Sequence, residues 1–284
     1  MKELASSLLR VLRRPRAVAL SWAVRMLFSL LLALPLWQLV VGSGMADHPD
    51  GDAILFRDGG LHLAELVRLT LPELHALARS APGLFVVLGL VSLLPLAALF
   101  VSLDSDERLS TRAWIGDAAA CLPRFTFVAG FCLLVQALLS FVTLTVAVQV
   151  REAVADPTTP RSADAWGVGI ALFGFFLVAL IGVLADLARA AIVRRDARAL
   201  EALGIAINAL TRRPFATLSS WATPGAWSLV FVLTAAWIVG RVDVSHGGLG
   251  RIATVAVVHQ LTLVALIVLR GAWLNRALIL TDHA

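Results

Sequence analysis

A chain of 284 residues that is 59% hydrophobic and only 15% charged, with a mean hydropathy of +0.86, lacks the polar surface a soluble protein of that length needs. Its formal net charge of +5 comes almost wholly from arginine, Lys2 being the lone lysine. In a chain this apolar, the basic excess marks loops that meet anionic headgroups rather than a nucleic-acid surface. The predicted class is therefore all-α and polytopic, since apolar runs of about 20 residues, the length that crosses a bilayer core as a helix, recur along the chain.

Residues 1–16 form a short basic amphipathic segment, with Leu4, Leu8, Leu9 and Leu12 set among Arg10, Arg13, Arg14 and Arg16. A first span is predicted over 19–42. It is longer than a signal peptide's apolar core and no small-x-small cleavage pattern follows it, so it is expected to be retained as an anchor. Residues 43–82 are the longest polar interruption, an outer loop whose second half, Leu61 to Leu77, has the apolar spacing of a helix lying on the interface. His48, His62 and His75 fall in this loop among carboxylates, but at no spacing that signals a metal site, so no metal or cofactor is expected.

Span two is predicted over 83–103, with Pro95 inside it. The loop 104–124 is expected to be an inner amphipathic helix capped by Ser110, with Trp114, Ala118 and Leu122 on one face. Span three, 125–150, carries the most polar run within a span, including Gln136, Ser140 and Thr143. Span four, 166–185, sets Gly167, Ala171, Gly174, Gly182 and Ala185 largely down one side, a pattern that lets helices approach closely in lipid.

A second arginine-rich inner loop, 186–222, begins with Asp186 and Arg189, spaced to pair on a helix. It continues with Arg194 and Arg195, then an apolar stripe of Leu200, Leu203, Ile207 and Leu210 beside Ala199, Ala202, Ala206 and Ala209. It closes on Arg212-Arg213-Pro214-x-Ala216-x-x-x-Ser220-Trp221, which repeats Arg13-Arg14-Pro15-x-Ala17-x-x-x-Ser21-Trp22. Span five, 226–240, and span six, 252–273, follow, the latter with a short tail. The basic residues concentrate in the N-terminal segment, the second and fourth loops and the C-terminus. With positive charge retained inside, both termini are expected on the cytoplasmic side of a bacterial inner membrane. Trp22, Trp37, Trp166, Trp227, Trp237 and Trp273 all fall near predicted span ends, as an aromatic belt requires.

The layout reads as three hairpin units, each an inner amphipathic helix followed by two spans. A true internal repeat and the ordinary occurrence of a basic flank before a span both account for it. Few residues carry chemistry. His259 lies within span six next to Gln260, with Thr262 a turn further, and Gln136 lies in span three; these form the candidate intramembrane polar site. Asp186 and Arg189 are the candidate inner-face charged pair. Arg13, Arg14, Arg194, Arg195, Arg212 and Arg213 are the candidate lipid or partner contacts. There is no HExxH pattern and no glycine-rich phosphate loop, and no catalytic residue is assigned.

The small-residue span four, the Asp186/Arg189 end, the alanine-rich helix and the Arg-Arg-Pro entry into span five together resemble, in layout, uncharacterised six-span bacterial membrane proteins. These include proteins similar to the membrane domain attached to some glycerophosphodiester phosphodiesterases. The resemblance implies a membrane domain without the phosphodiesterase catalytic part, and it carries no functional residues. The expected function is that of a non-enzymatic scaffold or accessory subunit with a protein partner in the membrane or at its cytoplasmic face, and no nucleic-acid partner. The alternative is an ATPase-coupled permease subunit whose inner loops contact the ATPase.

Overall fold

A computed structural model describes residues 2–42, 60–107, 109–155, 160–242 and 249–282. These residues form helices α1 (Lys2–Leu12), α2 (Pro15–Gly42), α3 (Leu61–Leu69), α4 (Leu71–Asp104), α5 (Thr111–Ala155), α6 (Pro160–Arg195), α7 (Ala199–Arg212), α8 (Pro214–Arg241) and α9 (Leu249–Asp282). Among the described residues there is no strand, and α2, α4, α5, α6, α8 and α9 are each long and apolar enough to cross a membrane. His48 and the acids Asp47, Asp50, Asp52 and Asp58 of the predicted outer loop lie outside the described residues.

The helices run longer than the apolar runs alone indicate. The predicted inner helix over 104–124 is not separate from span three, because α5 is continuous through Pro123 from Thr111 to Ala155. Pro123 is exposed, so its missing N–H leaves no donor-poor gap in a packed face. The buried positions explain the continuity. Trp114, Ala118, Cys121, Phe125, Val128 and Cys132 are all buried, stepping by four and three residues across the predicted boundary as one stripe. Ser110 does cap this helix: its hydroxyl accepts from the Ala113 N–H at 3.3 Å.

Other boundaries shift for the same reason. Span five starts at Pro214 rather than 226. The predicted short tail after span six is helical to Asp282, and Leu274, Ala277, Leu278, Leu280 and Thr281 are buried. The interfacial helix over 61–77 is divided at Thr70, where α3 ends, and its second half becomes the start of α4. On α3, Arg68 beside Glu65, with the nitrogen 2.6 Å from the carboxylate, holds the Glu65 carboxyl below its ordinary value.

The repeated phrase has a structural counterpart. In both copies a short amphipathic helix ends at or just before the arginine pair, and the following proline is the first residue of a long helix. Proline suits that position because its missing N–H would have no intrahelical partner there. The first backbone bond is equivalent as well: Val18 N–H to the Arg14 carbonyl at 3.4 Å, and Thr217 N–H to the Arg213 carbonyl at 3.0 Å.

By packing, the chain divides into two compact units. The first holds Met1–Leu99 and Thr223–Ala272, and the second Phe100–Ala222 and Trp273–Ala284. In the first, α1 lies against α9: Val11 is fully buried, and a Cβ built on Gly271 would stand 2.9 Å from the Val11 methyls. In the second, α5 and α6 pack antiparallel along the small-residue side of α6. Gly182 faces Gln136 and Gly167 faces Arg151, while a Cβ placed on Gly174 would fall on the Thr143 side chain. The Gln136 amide donates to the Val178 carbonyl at 2.9 Å, and Arg151 pairs with Asp164 at 2.8 Å.

Candidate functional site

The core of the second unit lies where α4, α6 and α9 end. Phe100 and Leu103, then Leu187, Ala188 and Ile192, then Trp273 and Leu274 are each almost fully buried, so all three helix ends are enclosed by neighbours. Phe100 meets Phe125 edge-to-face with ring centroids 5.9 Å apart. Into this apolar packing the chain sets one carboxylate. Asp186 is 1% exposed, accepts from the Trp273 indole N–H at 2.8 Å and lies 3.3 Å from the Arg189 guanidinium. Burying a charge is tolerable only when it is paired and hydrogen-bonded, and here both conditions hold.

At the tips of the same three helices stands a second polar group. Arg194 reaches Asp104 at 2.8 Å and Asp282 at 2.8 Å, and Arg195 donates to the Asp282 backbone carbonyl at 2.9 Å. Each aspartate closes the C-terminus of its helix, where the helix dipole disfavours negative charge. One arginine between two such carboxylates offsets both, and it ties the ends of α4, α6 and α9 together. The turn beyond α6 is fixed in the same manner. Asp196 has φ 51°, a left-handed conformation that aspartate tolerates better than most residues, and Arg124 from α5 holds its carboxylate at 2.6 Å and its carbonyl at 3.0 Å.

That turn aims α7. The Arg198 N–H donates to the Glu201 carboxylate at 3.3 Å, half of a capping box at the helix start. The side of α7 turned into the unit is the alanine side, with Ala202, Ala206 and Ala209 buried. Of its larger apolar residues, Leu200 is 70% exposed and Ile207 53%, while Leu203, Ile205 and Leu210 are half-buried. Arg212 and Arg213, exposed, close the helix.

Of the sequence-predicted polar site, Gln260, His259 and Thr262 belong to the first unit and Gln136 to the second. Gln260 accepts from the Trp22 indole at 2.8 Å, joining α9 to α2. His259 is exposed, and the Thr262 hydroxyl donates to the Val258 carbonyl of its own helix. Gln136 bonds α6 as described. The structure does not bring these four into one site: Gln260 and Gln136 each bond a different neighbouring helix. Asp186 and Arg189 are brought together, and Arg194 and Arg195 are engaged with acidic helix ends, whereas Arg13 is exposed and Arg14 partly so.

Two arginines that the sequence does not single out line a common cavity. Arg25 of α2 and Arg270 of α9, both in candidate spans, open on one cavity of about 360 Å³ in the first unit. Ser21, Ser92 and Pro95 also line it, with Phe28 and Leu96 among its apolar walls. The available signal was their depth: an arginine well inside an apolar run is costly and asks for an explanation.

Comparison of the chain with family models, with curated proteins and with solved structures gives no match.

Proposed function

We propose that this chain is a non-enzymatic scaffold or accessory subunit of a membrane assembly, seated in a bacterial inner membrane with both termini cytoplasmic. In this reading the arginine-rich end of the second unit is the docking surface for a protein partner, with anionic headgroups around it. The observation that carries the proposal is the orientation of α7. Its small residues are spent on internal packing while Leu200 and Ile207 are turned outward, on a helix that ends at Arg212 and is anchored at its start by the Arg124–Asp196 tie. Exposed apolar residues on a helix that ends in arginines match the composition of protein-binding patches.

The test is recovery of the tagged full chain in a gentle detergent, with mass spectrometry of what accompanies it, for wild type and Leu200→Glu/Ile207→Glu. The proposal expects a partner in stoichiometric amount with wild type and its loss with the variant. A protein recovered alone, or a partner retained equally by both forms, overturns it. The alternative, an ATPase-coupled permease subunit, draws support from the two-arginine cavity of the first unit. Recovery of a stoichiometric partner carrying an ATP-binding phosphate loop would select that reading instead.

A further inference from the structure

On α9 the stretch from Ile252 to Leu269 holds no Asp, Glu, Lys or Arg, but it does hold His259. At a rise of about 1.5 Å per residue, His259 stands about 10 Å from Ile252 and about 15 Å from Leu269, well inside the apolar run. It is exposed, and no described residue is hydrogen-bonded to it. Other polar side chains exposed on spans are satisfied within their own helix: Ser29, Thr145 and Thr254 each donate to the carbonyl four residues back. The His259 ring makes no such bond, and the adjacent Gln260, about 100° around the helix, is engaged by Trp22. A polar group facing hydrocarbon with its hydrogen bonds unmade is costly and calls for a partner within the membrane.

The residues on the same side of α9 indicate what that partner is. Ile252, Ala256, His259, Leu263 and Leu266 follow one another at steps of four, three, four and three, the spacing of a seam between two helices wound about each other. Ile252 and Ala256 are exposed like His259, and Leu263 and Leu266 are half-buried. The small Ala256 beside the ring lets a second helix backbone come close. A single polar residue in such a seam fixes register and partner. A neutral imidazole carries one N–H donor and one acceptor nitrogen, so two copies of it satisfy each other, as two carboxylates or two ammonium groups cannot. In a two-fold pair a residue at the axis meets its own counterpart. We propose that this side of α9 is the seam of a homodimer within the bilayer, in which His259 bonds His259 of the partner subunit. The inference goes beyond the docking surface on α7, which uses none of these residues.

The experiment mixes donor-labelled and acceptor-labelled copies of the full chain in lipid vesicles and follows energy transfer as the protein-to-lipid ratio falls. The expected result is a decline with dilution that fits a monomer–dimer equilibrium. His259→Leu should raise the apparent dissociation constant about tenfold, the scale of an interhelical hydrogen bond in lipid. His259→Asn, whose amide again offers donor and acceptor, should keep most of the affinity. Ala256→Phe keeps His259 but blocks close approach. It should weaken association as much as His259→Leu, and it decides the matter if the leucine variant does not fold. Val257→Phe, on the opposite side of α9 and also exposed, should have no effect. In a form lacking Cys121 and Cys132, Ala256→Cys should give a disulfide-linked dimer with copper phenanthroline as oxidant, and Val257→Cys should not. The proposal is overturned if the wild type is monomeric at every ratio, if His259→Leu associates as the wild type does, or if Val257→Phe weakens association as much as Ala256→Phe. A monomer that holds a different membrane protein through His259 overturns it as well, because the seam would then not be self-paired.

Discussion

Trp273 shows how one side chain can change its meaning between sequence and structure. Near the end of an apolar run, a tryptophan reads as an interfacial anchor. In the folded chain it is 1% exposed, and its indole N–H is the hydrogen-bond donor to a buried carboxylate. Trp37 and Trp237, by contrast, are 64% exposed and fit the belt reading, Trp237 lying 5.3 Å beneath the Arg241 guanidinium. Trp273→Phe keeps most of the packing volume and removes the donor. Leaving Asp186 short of one partner should cost roughly 1–3 kcal/mol. Thermal unfolding in detergent checks this: the variant should unfold at a lower temperature, and Trp37→Phe should leave the temperature unchanged. Equal effects from the two substitutions would mean that the indole–carboxylate bond contributes nothing particular.

At the scale of elements, the small residues of α6 did announce a close helix contact, and α5 is the helix they receive. The contact is dense enough that Gly174 has no room for a side chain beside Thr143. Gly174→Leu should therefore force α5 and α6 apart and destabilise the second unit by about 1–3 kcal/mol or more. Gly169 has open space around its Cα, so Gly169→Leu should be tolerated. Protease resistance of the detergent-solubilised variants separates the two outcomes. The apolar stripe of α7 was legible too, but which of its two neighbouring stripes faces the unit was not. Alanines permit closer approach than leucines, and that preference is decided by the surface the helix meets rather than by the helix itself. The start of α5 carried its own message in the step of Trp114, Ala118, Cys121, Phe125, Val128 and Cys132, which crosses Pro123 without a break. The charged residues up to Arg124 suggest a boundary there, but the buried period runs through it.

At the scale of the whole molecule, the six helices of spanning length among the described residues make a multi-pass membrane protein, and the helix order is consistent with alternating passes. The ends of α4, α6 and α9, the second, fourth and sixth spans, meet through Arg194, as alternation requires of every other span. Positive charge gathers at that end, and the proposed cytoplasmic orientation rests on that bias. Single cysteines introduced at Arg13 and Arg212 in a form lacking Cys121 and Cys132 should be blocked only by reagents that cross the membrane. A cysteine placed at Arg68 on α3 should react from outside. Labelling with the opposite pattern would invert the topology, and with it the side on which a partner could dock.

The sequence by itself determined the all-α, multi-pass class of protein, the repeated arginine-pair phrase ahead of two long helices and the small-residue face of α6. Each is a property of one segment: apolar length, a residue's backbone preference, or a repeat along a single helix. Only the tertiary structure decided that the end of α9 is core rather than tail, that Asp186 is satisfied by Trp273, and that Arg25 and Arg270 share a cavity. Those facts depend on how far each helix is rotated and raised against its neighbours. That in turn is set by the packing of many side chains at once, and no single segment carries it.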